Sequence, residues 1–362
     1  MWKKPEYNKH QINKAGKTII TPNATDSEKK HALKVIDNWR AAHAYPMHTF
    51  AINLKRQVVG IEGAVVVQRI KRLDTICGKL SRFPGMQLYR MQDLGGCRVI
   101  LPTVDDVYKV KNQIESSRIR HEEKAPKDYI KEPNPDTGYR SVHLIYKYKS
   151  DKVKEYNGLM IEIQLRTKLQ HLWATAVETV GVFTSNGLKF NKGSGKWINL
   201  FKLFSALFAL EEGTPLPDDV PNEKLELIET ILRLDEELNA IDKMRTIGIV
   251  SKQIGHVEKK AKNSYYVLEL NRDAHRIAIY VYPGAQKGLD LATEKYNEIE
   301  NNTKSQKIDV VLVAAESYEA LVDAYPNYFS DISDFISTLL DIMQKTIDEG
   351  RNDRLTEELT SV

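Results

Sequence analysis

The chain has 362 residues, of which 41% are hydrophobic and 28% are charged, and its formal net charge is +4. This composition excludes collagen-like, coiled-coil and intrinsically disordered proteins, and the length favours two globular domains. Two cysteines, Cys77 and Cys97, are too few for a disulfide framework or a structural zinc site, so we expect both to be small core residues.

The N-terminus carries charge without an apolar segment behind it. No run approaches the roughly 18 apolar residues that a membrane span needs, so we expect a cytoplasmic protein with no membrane partner. The first twenty residues contain one acid, Glu6, and five lysines: Lys3, Lys4, Lys9, Lys14 and Lys17. Such a run is either a solvated arm or a surface that binds phosphate groups.

In chain order, the first half predicts a mixed β-sheet packed by helices, an α+β fold. Apolar residues at helical spacing mark a helix up to Trp39 and a second one from about Ala51 to Leu80. Gly95-Gly96 predicts a turn into the next strand. The later elements are strands at 97–101, 142–148 and 161–165, and helices at 104–117, 165–182 and 197–210.

The second half begins at the proline-rich segment 213–221, after which apolar spacing predicts a connecting helix of about thirty residues. The remainder predicts a small α+β unit with strands at 265–270, 277–282 and 308–313, and helices at 289–300 and after Ser317. We therefore divide the chain into a catalytic domain at 1–215, a connecting helix at 216–262 and a C-terminal domain at 263–362.

Two short motifs place polar groups beside predicted strands. Asp93 and Arg98 flank the glycine pair, an arrangement that suits Mg²⁺ on one side and a nucleotide on the other, or else a surface turn with a salt bridge. In the motif Gly138-Tyr-Arg-Ser-Val-His143, Tyr139 either stacks on a base, which is worth about 1–3 kcal/mol, or packs on its neighbours.

Two further motifs carry charge. The alternation in 161–166 puts Glu162, Gln164 and Arg166 on one face of a strand, where they form either an exposed sheet face or a group that aids the attack of a hydroxyl on a phosphate. Lys71 and Lys79 are eight residues apart on the predicted helix, so both can reach a triphosphate; a solvated helix face is the alternative.

Together these motifs resemble the RelA/SpoT synthetase domain. The resemblance covers roughly residues 30–210 and follows five motifs in order, ending with His171-Leu-Trp173-Ala. It implies a nucleotidyltransferase-like fold and the transfer of the β,γ-pyrophosphate of ATP to a ribose 3′-hydroxyl. By the same resemblance, Arg69 and Arg98 sandwich the adenine of ATP, and Lys71 and Lys79 hold its phosphates.

The resemblance also implies roles for the other polar residues. Asp93 and Glu162 bind Mg²⁺ and carry the catalysis, with Glu162 assisting the 3′-hydroxyl. Tyr139 stacks on the acceptor base, and the acceptor pocket is shaped by His143, Gln164 and Arg166. The sequence departs from the family before Gly138, where residues 131–137 replace the usual lysine-asparagine run and leave open which cation binds the acceptor's phosphates.

Tyr325-Pro-Asn-Tyr328 narrows the resemblance to CapRel-type fused toxin-antitoxin proteins, whose C-terminal pseudo-zinc-finger domain is similar to the cysteine-free unit here. A helix start with two packed tyrosines is the alternative. The resemblance implies that Tyr325 and Tyr328 hold the enzyme inactive until a phage structural protein, such as a capsid protein, releases it. No histidine is directly followed by an aspartate, so we expect no alarmone hydrolysis.

Three functions remain open at this point. The first is a toxic synthetase that modifies the 3′-terminal adenosine of tRNA and stops translation in defence against phage. The second is a small alarmone synthetase that makes (p)ppGpp or (p)ppApp, with ATP as donor and Mg²⁺ in either case. The third is a non-catalytic module that binds nucleotide or RNA, which the pair Asp93 and Glu162 disfavours because a binder needs no two acids beside phosphates.

Overall fold

The structure is a computed structural model that describes residues 2–117, 121–183, 195–245, 264–271, 276–284, 286–302, 308–315 and 332–360. Its α-helices are α1 (Lys9–Ile20), α2 (Asp26–Ala42), α3 (Ala44–Gln57), α4 (Leu73–Arg82), α5 (Val104–Ser116), α6 (Lys168–Phe183), α7 (Gly195–Glu211), α8 (Lys224–Leu238), α9 (Gln286–Asn302) and α10 (Ser333–Thr360). Its strands are β1 (Val65–Ile70), β2 (Gly95–Leu101), β3 (Glu122–Glu123), β4 (Lys127–Asp128), β5 (Val142–Lys147), β6 (Met160–Thr167), β7 (Ser264–Asn271), β8 (Arg276–Tyr282) and β9 (Ile308–Ala315).

The strands of the described residues form one mixed sheet in the order β3-β5-β6-β2-β1-β9-β7-β8, with β4 also paired to β5. Only β2 and β6 run parallel among them, and the other paired strands are antiparallel. The predicted α+β class and mixed sheet are therefore confirmed. Among the residues described, no helix is long and apolar enough to cross a membrane.

The helix predicted from Ala51 to Leu80 is wrong, because this stretch is helix, strand and helix. α3 ends at Gln57, and two glycines with positive φ, Gly60 at 86° and Gly63 at 77°, turn the chain into β1. The three valines at 65–67 then pair with β2, because β-branched residues favour a strand. Arg69 consequently lies on a strand, and the backbone pairing outweighs the helical spacing of its apolar neighbours.

Among the described residues, buried hydrophobic side chains form three cores. The first lies between the sheet and helices α1 to α5, and includes the buried Cys97; Cys77 is half-buried, and neither cysteine is in a disulfide bond. The second is built from α6, α7, α8 and α10, with α7 buried along most of its length, and the third packs α9 against β7 and β9. Leu165 to Thr167, predicted as the first turn of α6, complete β6 instead because they pair with β2 and, at Leu165, with β5.

The connecting helix is shorter than predicted. α8 ends at Leu238 because Asn239 adopts the left-handed conformation, with φ 49° and ψ 46°, and the chain is helical again over 240–245. Asp235 accepts backbone hydrogen bonds from Ala240 at 2.9 Å and Ile241 at 2.8 Å, which fixes this break. The predicted elements of the last hundred residues are confirmed as β7, β8, α9, β9 and α10.

The described residues of 264–360, called here the C-terminal unit, contact the rest of the protein through both strands and helices. β9 pairs with β1 through Gln68↔Ala314 and Arg69↔Val313, which extends the sheet past the strand that carries Arg69. Phe335 of α10 packs on Phe201 of α7, with ring centroids 6.2 Å apart. The division of the chain near 215 and 262 stays a prediction.

Candidate active site

A polar cavity of about 150 Å³ lies at one end of β1, β2 and β6. Its lining residues are Arg69, Lys71, Thr75, Asp93, Gly96, Cys97, Arg98, Glu162, Gln164, Arg166 and Glu178. Arg69 and Arg98, predicted to hold adenine, come from the neighbouring strands β1 and β2. We call this the donor pocket, because it contains the residues that the sequence assigned to the phosphate donor.

The centre of the donor pocket is Asp93, which lies just before β2. Its carboxylate accepts hydrogen bonds from two lysines. The Nζ atom of Lys71 lies 2.8 Å from Oδ2 of Asp93, and that of Lys79 lies 3.1 Å from Oδ1. Burial raises the pKa of Asp93, but the two cations outweigh it and bring this pKa to about 2. Burial lowers the pKa of Lys71, and Asp93 partly restores it.

Lys71 and Lys79 contact the same carboxylate, but the prediction that both lie on one helical face is wrong. Lys71 lies in the connection between β1 and α4, where its backbone N–H donates to the carbonyl of Leu94 at 2.8 Å. Lys79 lies on α4 and reaches Asp93 without lining the cavity itself. A strand followed at once by a helix therefore brings together what the sequence placed on a single helix.

A second and larger cavity, of about 430 Å³, adjoins the donor pocket. We call it the acceptor pocket, and its lining residues are Lys71, Thr75, Tyr129, Asn134, Thr137, Tyr139, His143, Arg166, Trp173, Ala174, Val177, Glu178, Ile198 and Phe201. Four of these also line the donor pocket: Lys71, Thr75, Arg166 and Glu178. The two pockets therefore share a wall, and ligands held in them lie side by side.

Five side chains at this shared wall form a closed hydrogen-bonded ring. Its members are Tyr139, His143, Glu162, Gln164 and Arg166. Gln164 Nε2 donates to Glu162 Oε2 at 2.7 Å, and Arg166 Nη2 donates to Gln164 Oε1 at 2.9 Å and to the Tyr139 hydroxyl at 2.8 Å. His143 closes the ring, since its Nε2 is 2.8 Å from the Tyr139 hydroxyl and its Nδ1 is 3.2 Å from Glu162 Oε1.

The ring fixes the charges of its members. Burial disfavours the charged forms, but it is outweighed: Tyr139 and Glu162 raise the pKa of His143 to about 9, and His143 lowers the pKa of Glu162. Arg166 and His143 likewise bring the pKa of Tyr139 to about 8. At neutral pH the imidazolium donates from both ring nitrogens, and Glu162 is an ionised carboxylate held from two sides.

We predict a stability change with pH that depends on His143. Its pKa rises from 6.5 to about 9 on folding, so its stabilising effect is complete below pH 6.5 and is lost as pH rises towards 9. Between pH 6.5 and 8, the free energy of unfolding of the wild type should fall by on the order of 1 kcal/mol more than that of His143→Gln. Urea unfolding across this range measures it.

The matched control for this prediction is His10→Gln, at an exposed position on α1. It should keep the pH slope of the wild type. Equal slopes for His143→Gln and the wild type would show that folding does not raise the pKa of His143.

The motif that begins at Gly138 is held in place by α7. Gly138 has φ 73°, and a Cβ atom there would lie 3.0 Å from Cβ of Ser205, so this position requires glycine. Ser205 donates to the Gly138 carbonyl at 2.5 Å. Arg140 is buried and donates to the Ser205 and Pro215 carbonyls at 3.4 and 3.2 Å. These contacts aim Tyr139 into the acceptor pocket.

The glycines of the other motif do not form the predicted turn, since Gly95 and Gly96 lie inside β2. A Cβ atom on Gly95 would lie 2.9 Å from Cβ of His43 and 3.2 Å from Cδ1 of Ile161. Glycine is therefore needed here so that β2 can pack closely against His43, just before α3, and against β6. It is not needed for a turn.

The donor set of the pocket fits Mg²⁺. This ion prefers oxygen ligands and is usually held by one or two carboxylates together with substrate phosphates. Asp93 and Glu162 supply two carboxylates, whose side chains are 21% and 14% exposed and line one cavity. No group of three or more metal-ligating acids, histidines or cysteines occurs in the described part of the chain, so the protein by itself offers only a partial coordination shell.

The structure brings together ten of the residues that the sequence predicted for the two substrates: Arg69, Lys71, Lys79, Asp93, Arg98, Tyr139, His143, Glu162, Gln164 and Arg166. The N-terminal lysines lie elsewhere: Lys4 pairs with Glu155 at 2.8 Å, and Lys9 lies 5.7 Å from the ring centre of Tyr89. Tyr325 and Tyr328 fall outside the described residues.

Sequence reasoning missed several residues of the pockets. Glu178 lines both of them, and its Oε1 lies 4.0 Å from the Arg69 guanidinium. The sequence signal that could have identified Glu178 is its position on α6, five residues after Trp173 of the last motif. Tyr129 and Asn134 lie in a segment without regular spacing, and only the folding of the loop brings them to the acceptor pocket.

Fold and site thus define two adjoining pockets, the smaller of which is lined by several charged side chains. Residues 68–181 match a family model described as "Region found in RelA / SpoT proteins". This stretch contains all ten residues named above.

Two curated relatives are similar to this chain over part of its length. The GTP pyrophosphokinase YjbM of Bacillus subtilis is 34% identical over 112 residues, which are 30% of this chain and 52% of that protein. The GTP pyrophosphokinase YwaC of the same organism is 32% identical over 113 residues, again 30% and 52%. The chain thus matches about half the length of these relatives.

Solved structures align more loosely. Small alarmone synthetase 1 from Bacillus subtilis aligns at 24% identity and a TM-score of 0.36, over 56% of this chain and 93% of that one. A GTP pyrophosphokinase family protein from Streptococcus pneumoniae aligns at 24% identity and a TM-score of 0.38, over 47% and 87%.

Proposed function

We propose that the protein is a pyrophosphokinase that transfers the β,γ-diphosphate of ATP to a ribose 3′-hydroxyl. The observation that carries this proposal is the shared wall of the two pockets, where Lys71 and Arg166 face both ligands. Transfer of a phosphoryl group needs chiefly positioning and charge stabilisation. When bound, Mg²⁺ would neutralise charge on the transferred phosphates, and Asp93 and Glu162 are the residues to hold it.

The remaining steps belong to side chains of this chain. Lys71 and Lys79 would stabilise charge on the donor phosphates, and both already point at one carboxylate. Glu162 would accept a hydrogen bond from the 3′-hydroxyl and take its proton, because its low pKa keeps it ionised at neutral pH. His143 and Gln164 hold this carboxylate in one orientation, which is what an in-line attack requires.

We propose further that the acceptor is the 3′-terminal adenosine of tRNA, so that the reaction inhibits translation. Among the described residues that line the acceptor pocket, the cations are Lys71, Arg166 and the His143 imidazolium. All three are engaged by protein groups: Lys71 by Asp93, Arg166 by Tyr139 and Gln164, and His143 by Tyr139 and Glu162. Lys131, the lysine of the departing segment, does not line the pocket, and its Nζ lies 5.2 Å from the Tyr108 ring centre.

A free nucleoside di- or triphosphate brings several negative charges that need cations, whereas the terminal nucleotide of an RNA brings a single phosphodiester charge there. The walls of the acceptor pocket are aromatic instead, with Tyr129, Tyr139 and Trp173, and aromatic faces stack on any base. Lys3, Lys4 and Lys9 would contact phosphates elsewhere on the tRNA, in the manner of a sequence-independent basic surface.

The alternative acceptor is a guanosine or adenosine nucleotide, which would make the protein a small alarmone synthetase that produces (p)ppGpp or (p)ppApp. The observation in its favour is that the curated relatives of residues 68–181 are GTP pyrophosphokinases by name. The base-stacking residues serve either acceptor equally, so the difference rests on the phosphate-binding side of the pocket.

The experiment that separates the two acceptors uses ATP labelled at the γ-phosphate, the full-length chain and its Tyr325→Ala/Tyr328→Ala variant. We expect label on intact tRNA and none on tRNA whose terminal ribose has been oxidised by periodate, because that RNA lacks the 3′-hydroxyl. Label on GTP, GDP or ATP with unlabelled tRNA would establish the alarmone synthetase instead. Absence of label on every acceptor, in both proteins, would contradict pyrophosphoryl transfer altogether.

We also propose that the C-terminal unit is a regulatory, antitoxin-like domain of the pseudo-zinc-finger kind, in which Tyr325 and Tyr328 hold the enzyme inactive. A phage structural protein, such as a capsid protein, would release the enzyme in anti-phage defence. The described residues on either side of Tyr325 and Tyr328 support the inhibitory role, because they lie beside the two pockets. Val313, two residues before the end of β9, pairs with Arg69 of the donor pocket. Phe335, near the start of α10, stacks on Phe201 of the acceptor pocket.

A further inference from the structure

A buried guanidinium joins the C-terminal unit to the connection between β1 and α4. Arg40 of α2 is 2% exposed, and its Nε donates to the carbonyl of Lys71 at 3.0 Å. Its two Nη atoms donate to Asp37 of the same helix and to Glu300 and Tyr296 of α9. One side chain thus contacts the backbone of the donor pocket and the last turn of a C-terminal helix.

Glu300 makes the second half of this junction. Its Oε1 accepts the backbone N–H of Leu73 at 2.9 Å and the hydroxyl of Tyr296 at 2.7 Å. Leu73 is the first residue of α4, and Arg72 before it provides no side-chain cap. The first N–H groups of a helix have no partner within the helix and favour a negative charge nearby. Glu300 therefore caps α4 from a position 227 residues away in sequence.

The segment fixed in this way carries the cations of the donor pocket. Arg40 holds the carbonyl of Lys71, Glu300 holds the N–H of Leu73, and α4 continues to Thr75, which lines both pockets, and to Lys79. Lys71 and Lys79 then converge on Asp93. A displacement of α9 would free the backbone on both sides of Arg72, and with it the base of Lys71.

The surroundings of these two side chains make the junction sensitive. Glu300 is 10% exposed on its side chain and Arg40 is 2% exposed, so neither charge can be compensated by water if its partner is removed. The same unit also reaches β1 at Arg69, through β9. Two separate contacts of the C-terminal unit thus end at residues of the donor pocket.

We propose that Arg40 and Glu300 are positioning residues that transmit the placement of the C-terminal unit to the phosphate-binding lysines of the donor pocket. The nature of the ligand, a nucleoside triphosphate, rests on the proposed function. The coupling itself rests on the hydrogen bonds to Lys71 and Leu73. A partner that pulls α9 away would thereby alter the affinity for the donor without touching it.

The experiment measures the affinity of the full-length chain for a non-hydrolysable ATP analogue with Mg²⁺ by calorimetry, in the Tyr325→Ala/Tyr328→Ala background. We expect Glu300→Gln to weaken binding about tenfold, and Tyr296→Phe, which removes two hydrogen bonds of the junction but leaves both of its charges paired, to weaken it less. The matched control is Glu298→Gln on the same helix, where an exposed carboxylate pairs with Lys295 at 3.1 Å. It should bind like the parent.

A structural role alone would lower the melting temperature and leave the affinity unchanged at temperatures where the protein is folded. Coupling through Lys71 makes a further prediction, that Glu300→Gln has little additional effect on affinity in a Lys71→Ala background. Full affinity in both Glu300→Gln and Tyr296→Phe, or additive losses with Lys71→Ala, would overturn the proposal.

Failure of the parent to bind the analogue would count against the proposed function and leave the junction to be tested by itself. Amide hydrogen exchange then provides the measurement. The first turn of α4, from Leu73, should exchange faster in Glu300→Gln or Tyr296→Phe than in the parent. Unchanged exchange there would overturn the junction as a restraint on the donor pocket.

Discussion

Asp93→Asn and Glu162→Gln will each abolish pyrophosphoryl transfer, with a loss of at least about 100-fold in rate, while the fold is retained. The expected loss is large because both carboxylates line the donor pocket, where they can hold a metal ion beside the phosphates. Asp93→Asn also releases two lysines from their common partner, and Glu162→Gln removes the anionic partner of His143.

The measurement is the initial rate of label transfer from γ-labelled ATP in the Tyr325→Ala/Tyr328→Ala background, whose rate is the reference with wild-type Asp93 and Glu162. The melting temperature of each variant is recorded beside it. The side chains of Asp93 and Glu162 are 21% and 14% exposed and face a cavity, so amides of the same volume should fit without disturbing the core. Asp105→Asn and Glu226→Gln, at exposed positions on α5 and α8, are the matched controls. Near wild-type turnover in either test variant would remove that residue from the catalytic assignment.

Tyr325→Ala/Tyr328→Ala will make the protein active without a partner, with a rise of about tenfold or more in the rate of label transfer. We predict that the two rings occupy the slot between Arg69 and Arg98 that adenine would take, because an aromatic face attracts a guanidinium. A tenfold rise corresponds to about 1.4 kcal/mol of lost stabilisation of the closed state. The variant should also be toxic when it is expressed.

The matched control is the Tyr325→Phe/Tyr328→Phe variant, which keeps both rings and should remain inactive. Adding Asp93→Asn to the alanine variant should remove its toxicity, which ties the toxicity to chemistry at the donor pocket. If the alanine variant stays as slow as the wild type while a releasing partner activates both equally, the two tyrosines are not the restraint.

The amino-acid sequence by itself predicted ten of the side chains that the structure places at or beside the two pockets. Five polar motifs in order predicted the residues of the donor and acceptor pockets. Period-two alternation placed Glu162, Gln164 and Arg166 on one strand face, as the hydrogen bonds between them confirm. These signals are local, because a strand exposes alternate residues whatever its neighbours are. The α+β class followed from the same spacing of apolar residues.

Long-range pairing decided the rest. Residues 65–70 have apolar spacing that fits a helix, and only β2 on one side and β9 on the other make them a strand. The meeting of Lys71 and Lys79 at Asp93, and the junction of Arg40 with Glu300, join residues up to 260 positions apart. Such contacts have no periodic signal in the sequence, since they depend on which surfaces the folded sheet and helices bring together.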